Sequence, residues 1–154
     1  STYEHFAEIQ SVLDSRRLRA HLVAGKTSQI MQCSRVCLVV SGTAALETAY
    51  FRTPMVVVYR AGGWARHVAP RMLKVPHISL VNILAGREAT PEFLMYSDDA
   101  RPIGEAALRL LTNDDIWRKC RADLDAVILS LGPAGASRRA AEAALDCANR
   151  FHKQ

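Results

Sequence analysis

The sequence predicts an α/β fold: a Rossmann-like parallel sheet with helices on both faces, followed by a helical C-terminal segment. Three observations carry this prediction. Short apolar runs alternate with stretches of helical periodicity up to about residue 90, the rhythm of successive βαβ units. Two of the runs, Val36–Val40 and Met55–Tyr59, are continuous rather than alternating, as strands covered on both faces must be. After residue 90 the strand pattern stops and the apolar residues recur only at helical spacing. The 154 residues, 49% hydrophobic and 23% charged, form one α/β domain over 1–154 and exclude a disordered, collagenous or low-complexity chain.

The elements follow in order. Phe6, Ile9, Val12 and Leu13 mark one face of a helix over 3–14. His21–Ala24 reads as a short strand that Gly25 stops, and a helix over 28–34 turns Ile30 and Met31 inward. Val36–Val40 is the second strand. Ser41-Gly42-Thr43 breaks it, and helical spacing resumes over 44–51. Pro54 introduces a third strand at 55–59, closed by Arg60-Ala61-Gly62-Gly63. A helix over 64–73 contains Pro70, which should kink it, and 77–81 reads as a fourth strand. Asp98 or Asp99 can cap a helix whose inner face holds Ile103, Ala107, Leu110 and Leu111. Asn113 can cap a longer helix that buries Ile116, Trp117, Cys120, Leu124, Val127, Ile128 and Leu131, ended by Gly132-Pro133. Ser137 can cap the last helix, with Ala141, Ala144, Leu145, Ala148 and Phe151 inward.

Charge and motifs narrow the function classes. Net charge is +5, from 20 basic and 15 acidic residues, which suits an anionic partner. The basic residues are scattered and aromatics make up 6%, without the basic–aromatic interleaving of nucleic-acid platforms, so no nucleic-acid partner is expected. No apolar run is longer than Val36–Val40, far short of the roughly 20 residues of a membrane span. The N-terminus shows no signal-peptide pattern, and its start at Ser1 hints at processing or at a fragment of a longer protein. Cys33, Cys37, Cys120 and Cys147 lack metal-ligand spacing and read as buried, reduced thiols of a cytoplasmic protein; no metal is expected. Neither G-x-G-x-x-G nor a P-loop occurs, which removes the main support for dinucleotide and P-loop readings.

In an open parallel sheet, ligands bind outside the carboxyl ends of the strands. Three polar segments are expected there. Ser41-Gly42-Thr43 leads from a strand directly into a helix, whose free N–H groups and dipole favour a diphosphate. Gly42 lets a ligand approach the backbone, Ser41 and Thr43 offer hydroxyls, and Glu47, one turn in, can accept hydrogen bonds from the two hydroxyls of a ribose. In the segment Asn82–Glu88, Asn82 offers an amide, Gly86 an unusual backbone angle and Arg87 a planar fork for phosphate, with Glu88 beside it. Arg60, directly after the third strand, is the third candidate. Each also has a plain structural reading: a helix cap with a solvated Glu47, a loop with a surface Arg–Glu pair, a surface arginine. Trp64 with Val68, Met72 and Leu73 reads as core, and His67 and His77 as structural for want of an orienting partner.

The residues also resemble a family. Ser-Gly-Thr-Ala-x-Leu-Glu (41–47), Pro-Met-Val-Val-x-Tyr-Arg (54–60), Ser-Leu-x-Asn-Ile-Leu-Ala-Gly-Arg-Glu (79–88) and Pro-Glu-Phe-Leu (91–94), in this order and spacing, look like the C-terminal half of lipid-A-disaccharide synthase. The resemblance covers about residues 28–152 and is specific over 41–94. It implies one half of a GT-B type glycosyltransferase, the half that holds the UDP-2,3-diacylglucosamine donor. The other half would hold the lipid X acceptor and the catalytic carboxylate. Ser41, Gly42 and Thr43 would meet the diphosphate, Glu47 the ribose, and Arg60, Asn82, Gly86, Arg87 and Glu88 the rest of the donor. The reaction implied forms a β-1,6 bond between two glucosamines and releases UDP, without metal or other cofactor, because helix dipole and arginines neutralise the leaving group.

The chain departs from the family in three ways. Val81 stands where the family has Pro, Met95 stands where it has Gln, and nothing matches its catalytic carboxylate. No catalytic residue is therefore assigned, and the chain alone is expected to be inactive. The resemblance implies a cytoplasmic protein, peripheral to the inner membrane when complete. An unpaired sheet edge would favour a homodimer or strand exchange. Two other readings remain: half of another UDP-sugar transferase or 2-epimerase, and a degenerate, non-catalytic interaction module.

Overall fold

The structure is a computed structural model that describes residues 5–40, 42–60, 76–96, 99–132 and 135–151, without the side chains of 149–151. Among them lie seven helices and three strands: α1 (Phe6–Ser15), α2 (Thr27–Cys33), β1 (Cys37–Val40), α3 (Thr43–Tyr50), β2 (Met55–Arg60), α4 (Leu80–Ala85), β3 (Glu92–Met95), α5 (Arg101–Thr112), α6 (Asp114–Ser130) and α7 (Ala136–Phe151). The strands form one parallel sheet in the order β1-β2-β3. Cys37 pairs with Met55 and Val40 with Val58, while Val57 pairs with Glu92 and Arg60 with Met95.

The central strand bears out the continuous apolar run at 55–59. β1 buries Val39 on one face and leaves Leu38 and Val40 of the other exposed, so the run at 36–40 is not covered on both faces among the described residues. Met55, Val56 and Val57 point alternately to the two faces, yet none is more than 1% exposed, so both faces of β2 are covered. Ala45 and Ala49 of α3, Ile103 and Leu110 of α5, and Cys120, Leu124 and Val127 of α6 complete the core with Val81. Each large side chain buried here contributes about 1.5–3 kcal/mol. Asn113 caps α6 as its sequence predicts: its Oδ1 accepts the N–H groups of Asp115 and Ile116, each at 3.0 Å. Gly132 takes φ 77° after the helix, the left-handed position that ends it.

Several elements differ from the expectation. Residues 21–24 form no strand. The run 77–81 is not a strand either, because Ser79 caps α4: its Oγ accepts the Asn82 N–H at 3.2 Å. The N–H groups of Ile78 and Ser79 are meanwhile taken by the Glu92 carboxylate at 3.0 and 2.8 Å, so a side chain replaces the ladder partner. The third strand forms instead at Glu92–Met95, beyond residue 90, where the sequence shows only helical spacing; four half-buried residues give no clear period.

The helix ends also shift. Ala100, not an aspartate, occupies the cap position of α5, although Asp99 accepts the Arg101 N–H at 3.1 Å; Asp98 lies outside the described residues. Ser137 sits inside α7 rather than at its cap. Leu111 and Leu131 are exposed and Trp117 is half-buried. The expected inner faces of α1 and α7 stay open: α1 buries no residue, and Ala141, Ala144, Leu145 and Ala148 are exposed. Of the four thiols only Cys120 is buried, while Cys33 and Cys147 are exposed. The expected helix over 64–73, with Trp64, His67, Val68, Pro70, Met72 and Leu73, lies outside the described residues.

Candidate functional site

The carboxyl rim of the sheet is set by the ends of three parallel strands, at Val40, Arg60 and Met95. Gly42 lies just past the first and is the N-cap of α3 at φ 147°, ψ −157°. A Cβ there would meet nothing within 4 Å, so the backbone angle, not space, demands glycine. Among the described residues no side chain caps α3, which leaves first-turn N–H groups available to an anion. Thr43 and, one turn in, Glu47 are exposed. Glu47 is not merely solvated: Ser28 Oγ donates to its Oε1 at 2.5 Å, which ties the start of α2 to α3. Arg60 is exposed at the end of β2. Gly42, Thr43, Glu47 and Arg60 thus share the rim where the sequence puts a donor; Ser41 lies outside the described residues.

The second segment goes elsewhere. Because 77–81 is not a strand, Asn82–Glu88 does not follow a strand end. Residues 86–90 lead into the start of β3, at the amino edge, where Thr90 Oγ1 donates to Met55 O at the beginning of β2. Asn82 is fully buried. Its Oδ1 accepts the N–H groups of Ala89 and Thr90 at 2.8 and 3.0 Å, and its Nδ2 donates to Thr90 O at 2.9 Å. The amide therefore folds the turn back on α4 rather than facing a ligand. Gly86 supplies the left-handed C-cap of α4 at φ 65°. Glu88 is exposed and lines a cavity of about 270 Å³ with Pro91, Phe93 and Leu110.

Arg87 donates to Asp123 of α6 at 2.8 Å, and Lys119 donates to the other oxygen of the same carboxylate at 2.8 Å. The Arg87 hydrogen bond holds the Asp123 carboxyl below the usual range, and raises the Arg87 guanidinium in return. Two further arginines do the same work from neighbouring loops. Arg35, before β1, pairs with Asp114, and Arg52, before β2, pairs with Asp125. α6 is thus fastened at three aspartates, Asp114, Asp123 and Asp125, by the loops that lead into the sheet.

Sequence reasoning missed Glu92. Its carboxylate receives the Ile78 and Ser79 N–H groups and lies 3.3 Å from His77 Nδ1, so His77 does have a polar partner. Burial pushes the Glu92 carboxyl upward, but the hydrogen bonds from Ser79 and Ile78 outweigh it and hold the group below its ordinary value. The available signal was an acid directly before the apolar pair Phe93-Leu94, a position that reads as a solvated loop until the partner amides are known.

A model of the lipid-A-disaccharide synthetase family matches residues 1–147. The lipid-A-disaccharide synthase of Anaeromyxobacter dehalogenans (strain 2CP-1) is 42% identical over 132 residues, 84% of this chain and 34% of the relative. That of Azotobacter vinelandii is 37% identical over 135 residues, 88% of this chain and 34% of the relative. For the Salmonella agona enzyme the identity is 39% over 110 residues, 71% of this chain and 28% of the relative. The chain spans about a third of the length of these curated relatives.

Proposed function

The chain belongs to the lipid-A-disaccharide synthetase family, and from that premise we propose that it is the part that binds the UDP-sugar donor. The observation that carries the reading is the turn at the end of β1. Gly42, at an angle that demands glycine, opens α3 without a side-chain cap at the carboxyl rim. Phosphate oxygens would take the N–H groups of that first turn and the Thr43 hydroxyl, with Ser41 alongside by its place in the motif. Glu47, held by Ser28, would accept hydrogen bonds from the ribose hydroxyls, and Arg60 would supply positive charge at the rim. Asn82, Gly86 and Arg87 serve this reading as supports of the α4–β3 connection and not as ligands, and Glu88 lies with them away from the carboxyl rim.

The donor would be UDP-2,3-diacylglucosamine, transferred to a lipid X acceptor held by the remainder of the enzyme, with release of UDP. In this reading 1–154 acts as one domain that binds donor and does not catalyse transfer by itself. No described helix is long and apolar enough to cross a membrane; the complete enzyme would work in the cytoplasm against the inner membrane surface.

Titration calorimetry with UDP, UDP-N-acetylglucosamine, ADP and NAD tests the reading. Uridine nucleotides should bind, ADP and NAD should not, and Glu47→Ala should weaken UDP about tenfold, the loss of one or two hydrogen bonds to a charged group. Arg87→Ala should leave UDP affinity unchanged. An Arg87→Ala loss with an unaffected Glu47→Ala would move the site to the opposite edge and overturn the proposal.

A further inference from the structure

Glu47 is the carboxylate of the rim, and what it offers a ligand depends on where its two oxygens stand. Residues four apart share a face of a helix, so Glu47 lies on the Thr43 face of α3, one turn from the start that Gly42 opens. The residue is exposed, and a long exposed side chain samples many rotamers unless something holds it.

The hold comes from α2. Ser28 Oγ donates to Glu47 Oε1 at 2.5 Å, a bond between residues 19 positions apart. Ser28 is half-buried, at the start of α2. The far end of that helix is fixed in the core. Met31 is 6% exposed, and its carbonyl accepts the hydroxyl of the buried Thr53 at 2.7 Å. The Thr53 N–H donates in turn to Thr48 O of α3 at 3.3 Å. α2 is therefore tied to α3 twice, in the core through Thr53 and at the rim through Ser28. The serine has a fixed seat from which to hold an exposed carboxylate.

An ionised carboxylate only accepts hydrogen bonds, at about four sites on its two oxygens. Ser28 fills one site on Oε1 and restricts rotation of the group. Oε2 and the second site of Oε1 stay open, a pair of acceptors on one planar fork that matches two vicinal hydroxyls. We propose that Ser28 is a positioning residue for the ribose: it holds Glu47 so that the 2′ and 3′ hydroxyls are met together, and the site thereby prefers a ribonucleotide to its 2′-deoxy counterpart. The inference rests on the donor reading above and adds to it the residue that sets sugar selectivity.

Titration calorimetry of UDP and 2′-deoxy-UDP against the unaltered chain, Ser28→Ala, Ser28→Thr, Glu47→Ala and the Ser28→Ala, Glu47→Ala double variant tests it. The unaltered chain should bind UDP about fivefold more tightly than 2′-deoxy-UDP, the worth of about one net hydrogen bond. Ser28→Ala should weaken UDP about fivefold, because binding must then order the Glu47 side chain, and bring the two nucleotides within about twofold of each other. Ser28→Thr keeps the hydroxyl and should keep the preference. In the Glu47→Ala background, Ser28→Ala should cost less than about twofold more, since the serine acts through the glutamate. Urea unfolding reports whether each variant is folded. If the unaltered chain binds neither nucleotide, the donor reading falls and takes this inference with it. UDP binding without a preference in the unaltered chain, or with an unchanged preference in folded Ser28→Ala, overturns this inference alone, because a purely structural serine affects both nucleotides alike. Additive losses in the double variant overturn it too.

Discussion

Replacing Asn82 with Ala separates two roles that its place in the motif leaves open. In the structure the side chain is fully buried and makes three hydrogen bonds to the backbone of Ala89 and Thr90. Truncation leaves two N–H groups and one carbonyl without that partner. A net hydrogen bond is worth about 1 kcal/mol, and an unsatisfied buried group costs about 1–3 kcal/mol. Allowing one of the three to find water, the loss is about 3 kcal/mol. With a urea slope of about 2 kcal/mol/M, the unfolding midpoint falls by about 1.5 M. The assay is urea unfolding followed by tryptophan fluorescence, paired with UDP titration at a urea concentration of zero. A midpoint shift below about 0.5 M together with abolished UDP binding would refute the reasoning, because the amide would then act on the ligand and not on the turn. Asn82→Asp should also destabilise, since it replaces the Nδ2 donor by an acceptor that faces Thr90 O.

Two further substitutions test the anchors of the rim and of α4. Gly42→Ala forces a side chain into φ 147°, ψ −157° with no steric clash from neighbours, so it should cost about 1–3 kcal/mol of backbone strain; a change within about 0.3 kcal/mol in urea unfolding would contradict this. Glu92 has a folded pKa below its ordinary value, so its contribution to stability is full above the unfolded carboxylate value of about 4.3 and is lost as pH falls through the folded value. Thermal midpoints of Glu92→Gln should accordingly be lower than those of the unaltered chain near neutrality and converge with them in acid. Parallel curves across that range would show that the carboxylate is not what holds the amides of Ile78 and Ser79.

How far the sequence could be read depended on whether a residue's partner was near in the chain. The Asn113 cap, the Gly132 stop and the doubly covered strand at 55–60 are local or periodic signals, and the structure contains them; the strand at 37–40 forms too, but with Leu38 and Val40 exposed. The strand at 92–95 and the helix at 80–85 are not legible in the sequence, which reads 77–81 as a strand, because both depend on one long-range partnership. Glu92 spends its carboxylate on the amides of Ile78 and Ser79, and no propensity or period announces a bond across 13 and 14 positions. The faces of α1 and α7 show the converse: an amphipathic pattern states that a helix can bury a face, not that a partner is present to receive it.

The same division runs through the candidate site. Ser41-Gly42-Thr43 and Glu47 were legible because strand, glycine turn and helix start are contiguous, and three of these four residues stand at the rim in the described structure. Their family likeness was legible too, since motif order and spacing are properties of the chain. Arg87 and Asn82 looked like equivalent candidates, with the right chemistry in a polar segment. Only the tertiary structure shows that Asp123 claims the arginine and the turn at 89–90 claims the amide. A side chain's composition states what it can bond, and packing decides which of the available partners reaches it first.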